Sequence, residues 1–498
     1  MSANTSAYTA LERRYARMSH VAGARGMLSW DHQTMMPVGG ADARAEQMAT
    51  LGVIEHELAT DPALPDLFAA AEQEPLDDWQ RANLREMRRR WRHATALDAD
   101  LVERVSRAAS AGDLAWRAAR PANDFAGFAP ALRAVLAVVR EVAARKTEAL
   151  GLAPYDALLD EYEPGFGAAE VDVLFADLER FLPDFLGRAL ERQRARPAPE
   201  RPGGPFPVER QRALGVRLME AVGFDFHHGR LDVSLHPFCG GTPDDVRITT
   251  RYDESDFTSA LMGVLHETGH AMYERGLPAA WRHQPVGEAR STGMHESQSL
   301  LIEMQACRGR EFLGFAAPIM RQAFDGDGPA WHPDNLYRLY TRVEPDFIRV
   351  DADEVTYPAH VILRYRLERA MIAGDLAVDD LPGAWNDGMK RLLGIVPPTD
   401  TLGCLQDIHW ADGAFGYFPT YTLGAMAAAQ LFAAARRAEP GIPAALEHGD
   451  FTPLMAWLRA HVHGQGSLLG APELMTRATG QPLGVAAFEA HLEARYLS

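Results

Sequence analysis

The sequence predicts a mainly α-helical protein with a short β-sheet set beside one functional helix. Three observations carry that expectation. Apolar residues recur at intervals of three and four through the first half, as in "VDVLFADLERFLPDFLGRALERQ", where Val171, Leu174, Leu178 and Leu182 share one face. Strand-like alternation appears in only two short stretches, "RLDVSLHPF" and "VRITTRY". Helical periods then return until the C-terminus.

Taken in order, "MMPVGGADARAEQ" reads as a loop opening a helix, and "RARPAPERPGGPFP", residues 194 to 207, is the densest break in the chain. The softest boundary falls there, between an N-terminal helical part, residues 1–205, and a C-terminal helical part with the small sheet, residues 206–498, the two forming one continuous unit. Beyond it, Leu231, Val233 and Leu235 are expected on one face of a strand, and Val246, Ile248 and Thr250 on one face of the next. A helix follows: Ser255 or Asp256 can cap its start, and Gly276 with Pro278 can end it. Ser291 or Thr292 caps another. A glycine- and aromatic-rich interruption, "GCLQDIHWADGAFGYFPTYTLG", separates the later helices.

Composition narrows the function. The chain has 498 residues, 47% of them hydrophobic, enough for a large core. Its 50 Lys plus Arg against 68 Asp plus Glu give a formal charge of -18, which repels a phosphate backbone, so no nucleic-acid partner is expected. Three widely spaced cysteines, Cys239, Cys307 and Cys404, suit a reducing compartment better than a disulfide framework. Neither a signal-like start nor an apolar run of ~20 residues is evident, so a soluble, cytoplasmic protein without a membrane partner is expected.

The chemistry centres on "ALMGVLHETGHAMYERGLP", residues 260 to 278. On a helix His266 and His270 lie one turn apart on one face, so both imidazoles can meet one ion. Glu267 is rotated about 100° from them and sits where a general base beside a metal-held water would. Without a metal, two buried imidazoles flanking a carboxylate would need polar partners that "LMGVL" and "AMY" do not offer. A catalytic zinc also needs a third protein ligand. Glu296, near the start of the helix in "STGMHESQSLLIEMQ", would complete a His-His-Glu set of the thermolysin kind, with Glu303, seven residues on, as the competitor.

Six ordered motifs carry a resemblance: "HPF" at 236–238, "DVRIT" at 245–249, "HETGH" at 266–270, "HESQ" at 295–298, "IRVDAD" at 348–353 and "GCLQDIHW" at 403–410. The chain resembles the carboxypeptidase Taq family of metallocarboxypeptidases. N-terminal stretches such as "PYDALLDEYEPG" extend the likeness over nearly the whole length. The resemblance implies a saddle-shaped helical body with a deep groove, similar to neurolysin and angiotensin-converting enzyme, assembled as a homodimer and releasing single residues from peptide C-termini in the cytoplasm. By position it assigns His266, His270 and Glu296 to the metal and Glu267 to base catalysis.

Amide hydrolysis also needs a donor for the oxyanion, worth a few kcal/mol when preorganised. Tyr417, Tyr421 and His409 are the candidates, with His295 a further contact. An exopeptidase must grip a terminal carboxylate, for which a guanidinium fork is the natural partner. Arg349 is the first candidate and Arg247 the second, with Asp351, Asp353 and Glu354 expected to hold Arg349 in place. The strands suggest that peptide lies along an exposed sheet edge through main-chain hydrogen bonds, giving broad specificity, with His236 and Pro237 as groove walls. The expected cofactor is one zinc ion, with cobalt or manganese as alternatives. Two rival readings remain: a zinc oligopeptidase cutting internal bonds, and a peptide-binding protein without turnover.

Overall fold

The computed structural model describes residues 6–498. Among them twenty α-helices accompany a single three-stranded sheet, so the helical expectation is met. None of these helices is long and apolar enough to cross a membrane.

Two large apolar cores organise the chain. One gathers the helices Phe125–Leu150, Ala168–Arg194, Tyr357–Ala373 and Leu381–Leu393. The other surrounds the helices Val208–Val222, Phe257–Gly276 and Arg310–Ala323. A smaller third core, including Tyr8, Leu11, Phe68 and Met87, joins the first helix to its neighbours. Segments on either side of residue 205 therefore share a core, because Val343, Tyr365 and Phe418 pack with Leu132 and Phe175.

Helix Pro419–Ala438 stands between the two large cores. Leu423, Met426 and Ala429 belong to one, and Ala427, Ala428 and Leu431 to the other. A helix buried on both sides must be apolar all round and thin enough for close neighbours, which accounts for "LGAMAAAQLFAAA". Its Gly424 matters most: a Cβ there would stand 2.8 Å from the Cβ of Glu296.

The sheet has the order β1 (Gly229–Val233), β3 (Asp245–Thr250), β2 (Cys239–Thr242), with β1 parallel and β2 antiparallel to the central β3. The inward set Val246, Ile248 and Thr250 is buried as expected. The first strand differs from expectation. Leu231 is buried, but Val233 is 52% and Leu235 81% exposed. The Ser234 hydroxyl, within 2.5 Å of the His236 carbonyl and 2.7 Å of the Thr249 hydroxyl, turns the backbone out of the pleat. Strand β2, "CGGT", carries no alternating pattern and was not anticipated; its pairing with β3 forms it.

Candidate metal centre and cleft

Helix Phe257–Gly276, the motif helix, starts where Asp256 accepts a hydrogen bond from the Thr258 amide and ends at the expected glycine. It lies against helix Thr292–Leu300, the ligand helix, capped by the Ser291 hydroxyl at 3.1 Å from the Met294 amide. The approach is close because the fourth residue of "HETGH" is a glycine. A Cβ on Gly269 would come within 2.4 Å of the Gln298 carbonyl. With Gly424 opening the far side, Glu296 is pressed toward the two histidines.

His266 Nε2 lies 3.9 Å and His270 Nε2 3.5 Å from Glu296 Oε2. These three residues form the one group among the described residues whose donor atoms all lie within 4.8 Å of one another and could hold a metal. Ligands at ~2.1 Å around a tetrahedral zinc are separated by roughly 3.4 Å, so the set fits such an ion without rearrangement of the backbone. The imidazoles are oriented from behind. His270 Nδ1 is 3.1 Å from the His295 carbonyl, and His266 Nδ1 is 2.9 Å from Glu303 Oε2. With Nδ1 protonated, each ring turns its Nε2 lone pair inward.

The two glutamates that compete on sequence thus stand on opposite sides of His266. The ligand helix loosens into a π-helix over Leu301–Cys307, and this wider turn carries Glu303 to the outer ring nitrogen. Its other oxygen takes Arg308 at 2.5 Å. Neutralising it in Glu303→Gln is expected to weaken metal affinity by about 10- to 100-fold. Chelator competition against purified protein measures this, and unchanged affinity would remove Glu303 from the support of the site.

Electrostatics agree with a cation. Burial lifts the carboxyls of Glu267, to about 7, and of Glu296 above the ordinary range. Burial alone would lower His266, yet Glu296, Glu303 and Glu267 together bring it to about 10, while burial and its imidazole neighbours push His270 well down. Glu303 already has Arg308, but neither Glu267 nor Glu296 is paired with a Lys or Arg among the described residues, and a divalent ion would supply that counter-charge.

A cleft of about 590 Å³ opens over the site. Pro237, Phe238 and Cys239 at the β2 edge form one wall, Tyr417 and Tyr421 another, and Glu267, His295 and Glu296 lie on its floor. His295 Nδ1 is 2.6 Å from His270 Nδ1 and its Nε2 is 2.8 Å from Glu274. Tyr417 and Tyr421 stand edge to face with ring centres 5.3 Å apart. His409 sits behind them, against Phe418 at 4.5 Å, and burial holds its pKa down to about 4, so it is neutral. It does not line the cleft, nor does His236, which is exposed beside Pro237.

Arg349 does not line the cleft either: it is buried behind Tyr421, its guanidinium 5.0 Å from the ring centre. The expected holders are not the ones used. Asp353 accepts from the amides of Glu344, Val355 and Thr356, and Glu354 pairs with Arg495 and His491; Asp351 is exposed. Asp407 holds Arg349 instead, at 2.8 and 3.1 Å, and also takes Arg364 at 2.6 Å, while Tyr357 accepts from Arg349 Nη1 at 2.8 Å. Asp407 lies in the "QDIHW" motif, two residues before His409, and its local pattern carries no mark of the two distant arginines it pairs with. Arg247 is not brought to the cleft: it is forked to Asp245 at 2.6 and 3.0 Å and covers Trp30 at 4.6 Å.

Comparison with known proteins follows the same pattern along the whole chain. A family profile described as carboxypeptidase Taq (M32) metallopeptidase matches residues 10–496. Thermostable carboxypeptidase 1 of Thermus thermophilus is 39% identical over 98% of each chain, and that of Pyrococcus furiosus 36% identical over 97% of each. Among solved structures, metallocarboxypeptidase 1 of Trypanosoma cruzi superposes with a TM-score of 0.97 at 43% identity, covering 99% of each chain. The M32 carboxypeptidase of Deinococcus radiodurans gives 0.93 at 37% identity, covering 98% of each.

Proposed function

The chain belongs to the carboxypeptidase Taq (M32) family of metallopeptidases, and from that premise we propose how its cleft carries out metal-dependent removal of single residues from peptide C-termini. The observation that carries the reading is the convergence of His266, His270 and Glu296 on one point, with Glu267 beside it in a cleft of about 590 Å³. A metal bound there supplies Lewis acidity, lowering the pKa of a water to ~7 and polarising the scissile carbonyl.

Glu267 takes the proton of the attacking water and passes it to the departing amine. Its buried setting favours the first of these steps, since burial lifts its carboxyl to about 7 and so makes the carboxylate a stronger base than an exposed one. Tyr417 and Tyr421, on the opposite wall, donate to the oxyanion, with His409 packed behind them and His295 keeping His270 oriented. Main-chain pairing with the β2 edge aligns the peptide without selecting many side chains, which supports broad specificity.

Arg349 anchors the terminal carboxylate from behind the Tyr421 wall, which it can do once that ring moves aside. Three of its nitrogens are already committed to Asp407 and Tyr357, which fixes the plane of the guanidinium and leaves one N–H on each terminal nitrogen for an incoming carboxylate. Two imidazoles and a carboxylate suit zinc, with cobalt or manganese as substitutes. A cytoplasmic setting is supported by three free cysteines, and a homodimer by the family likeness alone.

One experiment separates this function from internal cleavage. An unstructured peptide and its C-terminally amidated twin are incubated with purified protein, with and without a chelator, and read by mass spectrometry. The expected result is a ladder of single-residue losses from the free acid only, abolished by the chelator. Internal fragments from both twins would make the protein an oligopeptidase and remove Arg349 from substrate binding.

A further inference from the structure

Helix Asp78–Thr95, "DWQRANLREMRRRWRHAT", holds six arginines in a chain of net charge -18. Arg81, Arg85, Arg88 and Arg92 follow one another at intervals of four and three, so they form a stripe on one face. The stripe lines a second groove of about 850 Å³, completed by Arg89 and by Arg290. Leu150, Leu152 and Pro164 supply its apolar wall.

The groove's own carboxylates do not neutralise it. Glu86 is shared among Arg85, Arg89 and Arg290. Glu74 is committed to the amides of Ala7 and Tyr8, at 2.7 and 3.2 Å, and Asp160 to His93 at 2.9 Å and the Gly165 amide at 3.1 Å, with Arg89 more distant at 3.5 Å; Arg81 pairs with the exposed Asp78 at the helix start. Glu72 alone meets Arg88 at the rim, and Arg92, exposed, has no hydrogen-bond or ion-pair partner among the described residues. Six guanidinium groups thus face four carboxylates, most of them already engaged.

This groove is continuous with the metal cleft, since Arg89, Pro164 and Arg290 line both. An enzyme that removes one residue from a C-terminus has a single residue beyond the scissile bond, so any substrate leaving the cleft along an open groove does so with its N-terminal portion. We propose that the arginine groove is a subsite for acidic side chains lying upstream of the cleaved bond, so that the protein prefers peptides with acidic segments ahead of their C-terminus. The proposal rests on the carboxypeptidase reading above and adds to it a determinant of substrate choice remote from the chemistry.

The test uses full-length protein and free-acid peptides with one common C-terminal segment and glutamates, alanines or lysines in the upstream half. At low ionic strength KM is expected to be lowest for the glutamate peptide, about fivefold below the alanine peptide, with the advantage shrinking as salt is added. In the double variant Arg88→Gln, Arg92→Gln the three peptides should converge, while an N-acylated dipeptide, too short to reach the groove, is cut as by wild type. Equal KM for the three peptides, or a charge ranking that survives in the double variant, would overturn the subsite. Fluorescence anisotropy with an amidated, uncleaved acidic peptide reads the groove independently of turnover. Charge-dependent binding lost in the double variant supports the subsite even if no peptide is cut, an outcome that would instead defeat the carboxypeptidase reading.

Discussion

Glu267→Gln is expected to keep its metal and lose about 10²- to 10⁴-fold in kcat, the range that a positioned general base contributes. The reasoning is geometric. His266 and His270 present their Nε2 atoms to Glu296, and their outer nitrogens are fixed by Glu303 and the His295 carbonyl, none of which involves Glu267. An amide of the same shape in the same buried place removes the proton acceptor and leaves the ligand set alone. Elemental analysis should therefore find wild-type metal content while single-turnover kinetics find the chemical step slowed. A variant that hydrolyses at the wild-type rate would exclude Glu267 as the base; one that loses its metal would make it part of the ligand framework.

Asp407→Ala carries the largest expected effect on stability. This one carboxylate faces two buried guanidinium groups, Arg349 and Arg364, with side-chain exposures of 6% and 0%. Removing one partner of a buried ion pair leaves uncompensated charge and costs about 3–5 kcal/mol. The two arginines hold the Asp407 carboxyl well below the ordinary aspartate range against the opposing effect of its burial. Because its folded value is depressed, its contribution is complete above the unfolded value of ~3.9 and is lost only as pH falls through the lower folded value. Near neutral pH the variant should show a clearly lowered denaturation midpoint, and it should raise KM for free-acid peptides by releasing Arg349. An unchanged midpoint would mean that Arg349 and Arg364 are neutralised by something other than Asp407.

The legible and illegible parts of this protein divide by how far apart in sequence the determining groups lie. "HETGH" revealed a helix face with two imidazoles and a flanking carboxylate, because i and i+4 are neighbours on any helix. Asp256, Ser291 and Gly276 marked the ends of the two site helices for equally local reasons. Six motifs in order identified the family before any contact was known, and the profile over residues 10–496 agrees.

Strand β1 misled because alternation in "RLDVSLHPF" describes a side-chain sequence, not the hydrogen bonds that Ser234 makes to leave the pleat. Strand β2 was invisible because two glycines in four residues have no strand propensity, and only the partner β3 makes it one.

What the sequence by itself determined is the helical class, the placement of His266, Glu267 and His270 on one helix, and the family. Tertiary structure decided what Glu303, the competitor of Glu296, does instead, which acid holds Arg349, and that Arg247 covers Trp30 rather than reaching the cleft. The physical reason is common to all three. The pairings of His266 with Glu303 and of Arg349 with Asp407, and the contact of Arg247 with the Trp30 ring, act through space over a few ångströms between groups tens to hundreds of residues apart, whereas the patterns that reveal helices, caps and motifs are confined to a turn or two of backbone.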